Sequence, residues 1–150
     1  MREILFRGKH QIGTNYGKWV EGQLNILEDG TYSIICYESE MEEIKRDSIS
    51  VMRQKNVLKR YSVVPETIGQ FTGIYDCDGN RIFEGDIIQF CSMKMAVMFD
   101  EQSAQYLLKK IRKKKNDSLS EIIAFDTVPQ YALNVIGNIC DDFNSAEMEV

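Results

Sequence analysis

The residues best suited to chemistry in this chain are a few carboxylates near glycine, one histidine, four cysteines and one cationic run. Asp76, Asp78 and Asn80 alternate as calcium-loop ligands do. An EF-hand loop needs glycine at its sixth position and glutamate at its twelfth. Counted from Asp76, the glycine (Gly79) is fourth and the twelfth residue is Ile87. Asp and Asn beside Gly instead suit an Asx turn, so a hairpin bend is expected here and no metal. Glu66, Asp76 and Asp86 are the carboxylates that would serve a hydrolase or metal enzyme if folding brought them together. A general base near neutral pH is usually histidine. The one histidine, His10, stands among Gly8, Lys9, Gln11 and Gly13, a loop-like setting with no adjacent nucleophile or carboxylate. The sequence contains no G-x-S-x-G, G-x-x-x-x-G-K-[ST] or G-x-G-x-x-G motif. No catalytic residue, no enzyme activity and no cofactor is therefore expected.

Cys36, Cys77, Cys91 and Cys140 are scattered, without the short spacings that clamp zinc. They are expected to be free thiols of a cytoplasmic protein. The N-terminal apolar stretch is too short for a signal peptide, and no run approaches the roughly 18 residues that span a bilayer. The pronounced electrostatic feature is the run Lys109, Lys110, Ile111, Arg112, Lys113, Lys114, Lys115. Its six cations could hold nucleic-acid phosphates or another anion through counterion release. The alternative is a solvated strand end whose lysines discourage edge pairing. Stacking aromatics are not interleaved, Tyr106 alone being near, and this favours the solvated reading.

The elements that must position these groups read as β. The 150 residues are 43% apolar and 27% charged with net charge −5, enough for one domain or two small β-modules and too little positive charge for bulk polyanion binding. Trp19 to Tyr37 reads as a hairpin around Glu28-Asp29-Gly30. Glu38 to Arg53 reads as a loop with a short strand, and Arg53 to Arg60 as a solvated connection. Pro65 marks a boundary, because proline biases Val64 toward extended backbone. The modules are then residues 1–64 and 65–150, with a mobile acidic tail from about residue 141. In the second module, two apolar strands, one within 66–75 and one from Arg81, are expected to flank the Asp78-Gly79 turn, with a third following Gly85 and others over 94–99, 105–108 and 131–139. Ser118 to Glu121 fits a capping box, which predicts one or two helical turns over Leu119 to Phe125.

Several of these strings resemble the YopX family, small proteins of bacteriophages and of prophages in mainly Gram-positive bacteria. The opening Arg2 to Gly8 is similar to its R-E-I-x-F-R-G start, and Trp19, Gly22 and Leu24 to its W-x-x-G-x-L element. The densest likeness runs from Val64-Pro65-Glu66-Thr67-Ile68-Gly69-Gln70-Phe71-Thr72-Gly73 through Asp78-Gly79-Asn80 to Ile82-Phe83-Glu84-Gly85-Asp86-Ile87-Ile88. Val135 to Ile139 resembles the closing segment. The resemblance implies a mainly β protein, α+β at most: a β-rich N-terminal part, then an SH3-like small barrel with one short helix. It implies no catalytic residues. Within the string, Gly69, Gly73, Gly79 and Gly85 read as bend points, Phe71 as core, and Glu84 and Asp86 as a strand-introducing turn. Pro65, Glu66, Thr67, Gln70 and Thr72 read as architecture rather than as a ligand site. Abundant β and aromatic material without chemistry suggests a protein-interaction module. A homo-oligomer or a phage or host protein is then the expected partner, with nucleic acid through Lys109–Lys115 as the alternative and no membrane.

Overall fold

A computed structural model describes residues 1, 3–111 and 121–141. The chain forms two compact units, Leu5–Ile68, and Met1–Ile4 together with Gly69–Val150. Among the described residues there is no α-helix, and the strand pairs within each unit are antiparallel. The protein is mainly β.

In the Leu5–Ile68 unit, β1 (Phe6–Lys9), β2 (Trp19–Ile26), β3 (Tyr32–Arg46) and β4 (Ile49–Ser62) lie side by side as β4-β3-β2-β1. Val20 of β2, Ile34 of β3 and Val63, the residue after β4, form a small core, against which Phe6, Leu24, Tyr32, Cys36, Tyr61 and Ile68 pack. Two elements that carried the resemblance meet here: the Arg7 guanidinium lies 4.4 Å above the Trp19 ring and the Lys9 ammonium 5.1 Å from it, both within cation–π range.

β2 pairs β3 only as far as Gln23 opposite Ile35, whereas β3 and β4 stay paired without a bulge from Ser33 opposite Ser62 to Arg46 opposite Ile49. Beyond Cys36 the two strands therefore run on as a two-stranded ribbon, roughly 35 Å long at ~3.4 Å per residue. It closes at Asp47 and Ser48, whose φ of 48° and 67° are those of a two-residue turn matched to strand twist. The loop expected from Glu38 and the solvated connection expected to Arg60 are both strand. Neither ribbon face meets the core, so the period-two hydrophobic signal is missing there.

In the second unit, β5 (Gly69–Tyr75) pairs with β6 (Arg81–Phe83), and β7 (Asp86–Phe90), β8 (Met93–Asp100), β9 (Gln105–Lys110), β10 (Ile122–Ala124) and β11 (Asn134–Asn138) form a sheet ordered β10-β9-β8-β7-β11. The last strand pairs with the first, as in the expected small barrel, but β10 and β11 end the sheet without pairing, so it stays open. The connection between them supplies Phe125, Val128 and Leu133 to a core with Ile82, Ile88, Met95, Val97 and Leu108. The helix expected over Leu119 to Phe125 is overturned where it is described. Ile122 to Ala124 pair with Lys109 to Leu107, and only single 3-10 turns follow, at Phe125–Thr127 and Gln130–Ala132. The β-branched pair Ile122-Ile123 gains more from the sheet than the capping box offers the helix. The acidic tail expected from about residue 141 lies, after Asp141, outside the described residues.

Candidate functional site

The carboxylates singled out by sequence are spent on backbone. Asp76 is fully buried; its Oδ1 accepts the N–H of Asp78 (3.0 Å) and of Asn80 (2.8 Å), and its Oδ2 accepts the Asn80 amide (3.1 Å) and the Val135 N–H (3.5 Å). It closes the Asx turn before β6 and ties it to β11, while Asp78 and Asn80 face solvent. Asp86 is also buried: Oδ2 accepts the Phe83 N–H (2.8 Å) and Oδ1 the Asn138 amide (3.1 Å). Glu66 sits on the 3-10 turn Pro65–Thr67 of the other unit. Among the described residues no three His, Cys, Asp or Glu side chains gather as metal ligands.

Burial raises the Asp76 pKa, but the hydrogen bonds from Asn80, Asp78 and Val135 outweigh it and hold the carboxyl below its ordinary 3.8. A folded-state pKa below the unfolded one contributes stability that is fully present above the unfolded value and is lost as pH falls through the folded one. Wild type should therefore lose stability below about pH 4, and Asp76→Asn should lose less of it there. At neutral pH the same variant should be destabilised by about 2 kcal/mol, since its NH2 would face the donors of Asn80 and Val135. Urea melts at pH 7 and pH 3 check this; equal acid sensitivity in both proteins would refute it.

The rest of the family string is architectural in geometry. The Thr67 hydroxyl donates to the Val64 carbonyl (2.7 Å) and accepts the Lys9 N–H (2.8 Å). A Cβ on Gly69 would stand 2.4 Å from the Glu84 carbonyl oxygen. The Gln70 carbonyl accepts the Glu84 N–H (2.9 Å), and Phe71 is buried against Phe83. The Thr72 hydroxyl donates to the Ile82 carbonyl (2.9 Å). Gly73, at φ 86°, sits where the β5–β6 register shifts, while Gly79 and Gly85 take φ of 82° and 84° in turns. Burial pushes the Glu84 carboxyl above its ordinary range, partly countered by the amides of Gln70 and Phe99.

His10 is buried rather than in an open loop, bridged to Val63 and edge-on to the Tyr61 ring at 4.6 Å. The four cysteines are free, and burial, then Glu38, pushes the Cys36 thiol up, away from the reactive thiolate. Of the basic run, Lys109 and Lys110 end β9 half-buried, with the Lys110 ammonium 3.8 Å from the Glu121 carboxylate. Arg112, Lys113, Lys114 and Lys115 lie outside the described residues.

What sequence reading missed is the ribbon. Side chains directly opposite in an antiparallel pair share a face. One face carries Glu38, Glu40 and Glu42 of β3 beside Lys55 and Lys59 of β4. Glu42 pairs with Lys55 (3.2 Å), Glu40 with Lys59, and Glu38 accepts the Tyr61 hydroxyl (2.6 Å), which holds that phenol up at about 12. This face neutralises itself. The other presents Tyr37 opposite Leu58, Ser39 opposite Asn56, Met41 opposite Gln54, and Met52 opposite Glu43. Its large apolar members are far out in solvent: Tyr37 74%, Met41 61%, Leu58 57% and Met52 56% exposed. The signal that could have found it is the matched alternation of acids over 38–42 with bases over 53–59 around Asp47-Ser48.

No helix among the described residues is long and apolar enough to cross a membrane. A comparison with curated proteins found no significant match. The family described as YopX protein matches residues 5–144, nearly the whole length, so the strings around Trp19, Pro65–Gly73 and Glu84–Asp86 fall within one continuous likeness. The chain belongs to the YopX family.

Proposed function

We propose that this chain is a non-catalytic phage or prophage accessory protein of the host bacterial cytoplasm that works by protein–protein contact, with the β3–β4 ribbon as its contact arm. The observation that carries this reading is the solvent-exposed ribbon face of Tyr37, Met41, Met52 and Leu58, which is free of charge across its three middle rungs. Clustered exposed apolar side chains rimmed by polar ones are the usual mark of an interaction surface. A two-stranded ribbon standing alone is marginal in water, so a covering partner also stabilises it. Support for the non-catalytic part is that Asp76 and Asp86, the buried carboxylates, are occupied by amide donors that hold turns. The nucleic-acid reading has less behind it, since Lys110 faces Glu121 and the remaining cations of the run lie outside the described residues.

The test is affinity capture from host cells during phage growth, with wild type and with Met41→Glu/Leu58→Glu as baits. The variant should keep the circular dichroism of the wild type, because both side chains are exposed. It should recover at least about tenfold less of the arm's partner, a loss of ~1.4 kcal/mol or more. Identical recovery with both baits would refute the arm's role, and recovery of nucleic acid that depends on Lys109–Lys115 would favour the other reading.

A further inference from the structure

We infer that the ribbon face of Tyr37, Met41 and Leu58 is covered by the same face of a second copy of this chain, the two arms packed antiparallel about a two-fold axis near Ser39 and Asn56. This rests on the reading of the arm as a contact surface and adds its occupant. The charge pattern selects that geometry. From Glu38 to Glu43, β3 carries Glu38, Glu40, Glu42 and Glu43, while β4 carries Arg53, Lys55, Lys59 and Arg60 and no acid at all. A two-fold pairing through strand edges, centred between Glu38 and Glu43 on β3 or between Arg53 and Arg60 on β4, would lay glutamates against glutamates or cations against cations, which like-charge repulsion disfavours. Pairing the acidic edge of one copy to the basic edge of the next is head-to-tail and would give open filaments unless the rotation closes. The face, in contrast, holds no charge across its three middle rungs, Tyr37/Leu58, Ser39/Asn56 and Met41/Gln54. Ser, Asn and Gln side chains both donate and accept, so they can pair with their own copies at an axis. Self-neutralisation of the opposite face by Glu40–Lys59 and Glu42–Lys55 leaves that side content in water.

The ends of the face decide the direction. Arg60 stands opposite Ile35 near the base, four residues from Asn56, and has no ion pair among the described residues. Glu43 stands toward the tip, four residues from Ser39, accepting the Ser50 hydroxyl and 3.9 Å from Lys45. Parallel arms would bring each of these against its like. Antiparallel arms bring Arg60 beside the second copy's Glu43, and put Tyr37 over Met41 and Leu58 over Gln54. The overlap, from the Ile35/Arg60 rung to the Glu43/Met52 rung, is about 27 Å long at ~3.4 Å per residue and two strands wide. That lies at the low end of specific interfaces, below roughly 1,200 Å² in total. A reversible dimer dissociating at micromolar concentrations is expected, not an obligate one.

Sedimentation velocity of the purified full chain, from about 1 µM to about 1 mM, should show a monomer–dimer equilibrium that stops at two copies. Met41→Glu should weaken it at least about tenfold. Glu43→Arg and Arg60→Glu should each weaken it several-fold, and the two together should restore it, because the swapped charges meet again. If Met41→Glu folds poorly, the charge-swap set carries the test, both residues being exposed. Monomer throughout the range, growth beyond the dimer, a dimer indifferent to Met41→Glu, or no rescue in the double swap would each overturn the proposal. A monomeric protein whose capture of another protein still depends on Met41 and Leu58 would sink the self-pairing and leave the contact arm standing. Monomer together with arm-independent capture would sink both.

Discussion

Alanine at position 22 is expected to cost the Leu5–Ile68 unit about 3 kcal/mol or more, a large share of the stability such a unit holds. The Cβ it adds would stand 2.2 Å from the Ile35 carbonyl oxygen and 2.9 Å from the Ile34 Cγ2 methyl. Overpacking usually costs ~1–3 kcal/mol because flexible side chains give way. Here the nearest atom is backbone in the β2–β3 pair, and the methyl belongs to Ile34, fully buried in a core of few residues. Domains of this kind hold only about 5–15 kcal/mol in total. Urea denaturation should show a midpoint far below wild type, and hydrogen exchange should speed up first in the amides of Gln23 to Ile26 and Tyr32 to Ile35. A midpoint within error of wild type would show that the two strands can part at no cost and that the close approach is incidental.

Asp86→Ala should destabilise the second unit by a similar amount, about 3 kcal/mol. The carboxylate accepts the Phe83 N–H and the Asn138 side-chain amide in a buried site, and each orphaned buried group costs ~1–3 kcal/mol. Rotating the Asn138 amide offers no relief, because its Oδ1 already accepts the Cys140 N–H at 2.8 Å. Asp86→Asn should fall between, near 1–2 kcal/mol, keeping an acceptor for Phe83 while placing an NH2 against that of Asn138. Thermal melts of both variants at pH 7 check the order Ala below Asn below wild type. Were Asp86 part of a reactive site rather than a turn, its loss would leave stability unchanged and remove an activity instead.

These two positions show how unevenly the molecule is written into its sequence. Gly22 and Asp86 stand in strings that resemble the YopX family, yet the reason each residue is there is tertiary: the Ile35 carbonyl that crowds Gly22 and the Asn138 opposite Asp86 arrive from elsewhere in the chain. The cation–π stack of Arg7 on Trp19 is of the same kind, joining two motifs that sequence can quote but not bring together.

Composition, turn chemistry and alternation were sufficient for the β class, for the Asp78-Gly79 bend, and for most strands of the second unit, because there one strand face is buried and hydrophobicity alternates with the pleat. They were insufficient for the ribbon. Residues 38–46 and 49–58 bury neither face, so no hydrophobic alternation distinguishes strand from solvated loop there, and the charge alternation speaks only when the two segments are matched. Their structure is held by cross-strand partners such as Glu40 and Lys59, 19 positions apart, and register of that kind is a property of the paired chain. The helix over Leu119 to Phe125 failed for a related reason, a local cap losing to a distant strand where β9 recruits Ile122 to Ala124. Sequence alone therefore determined what these residues prefer and how often the chain turns. Only tertiary structure decided which buried carboxylates are fasteners and which exposed face is left uncovered, because both depend on the neighbour supplied from across the sheet.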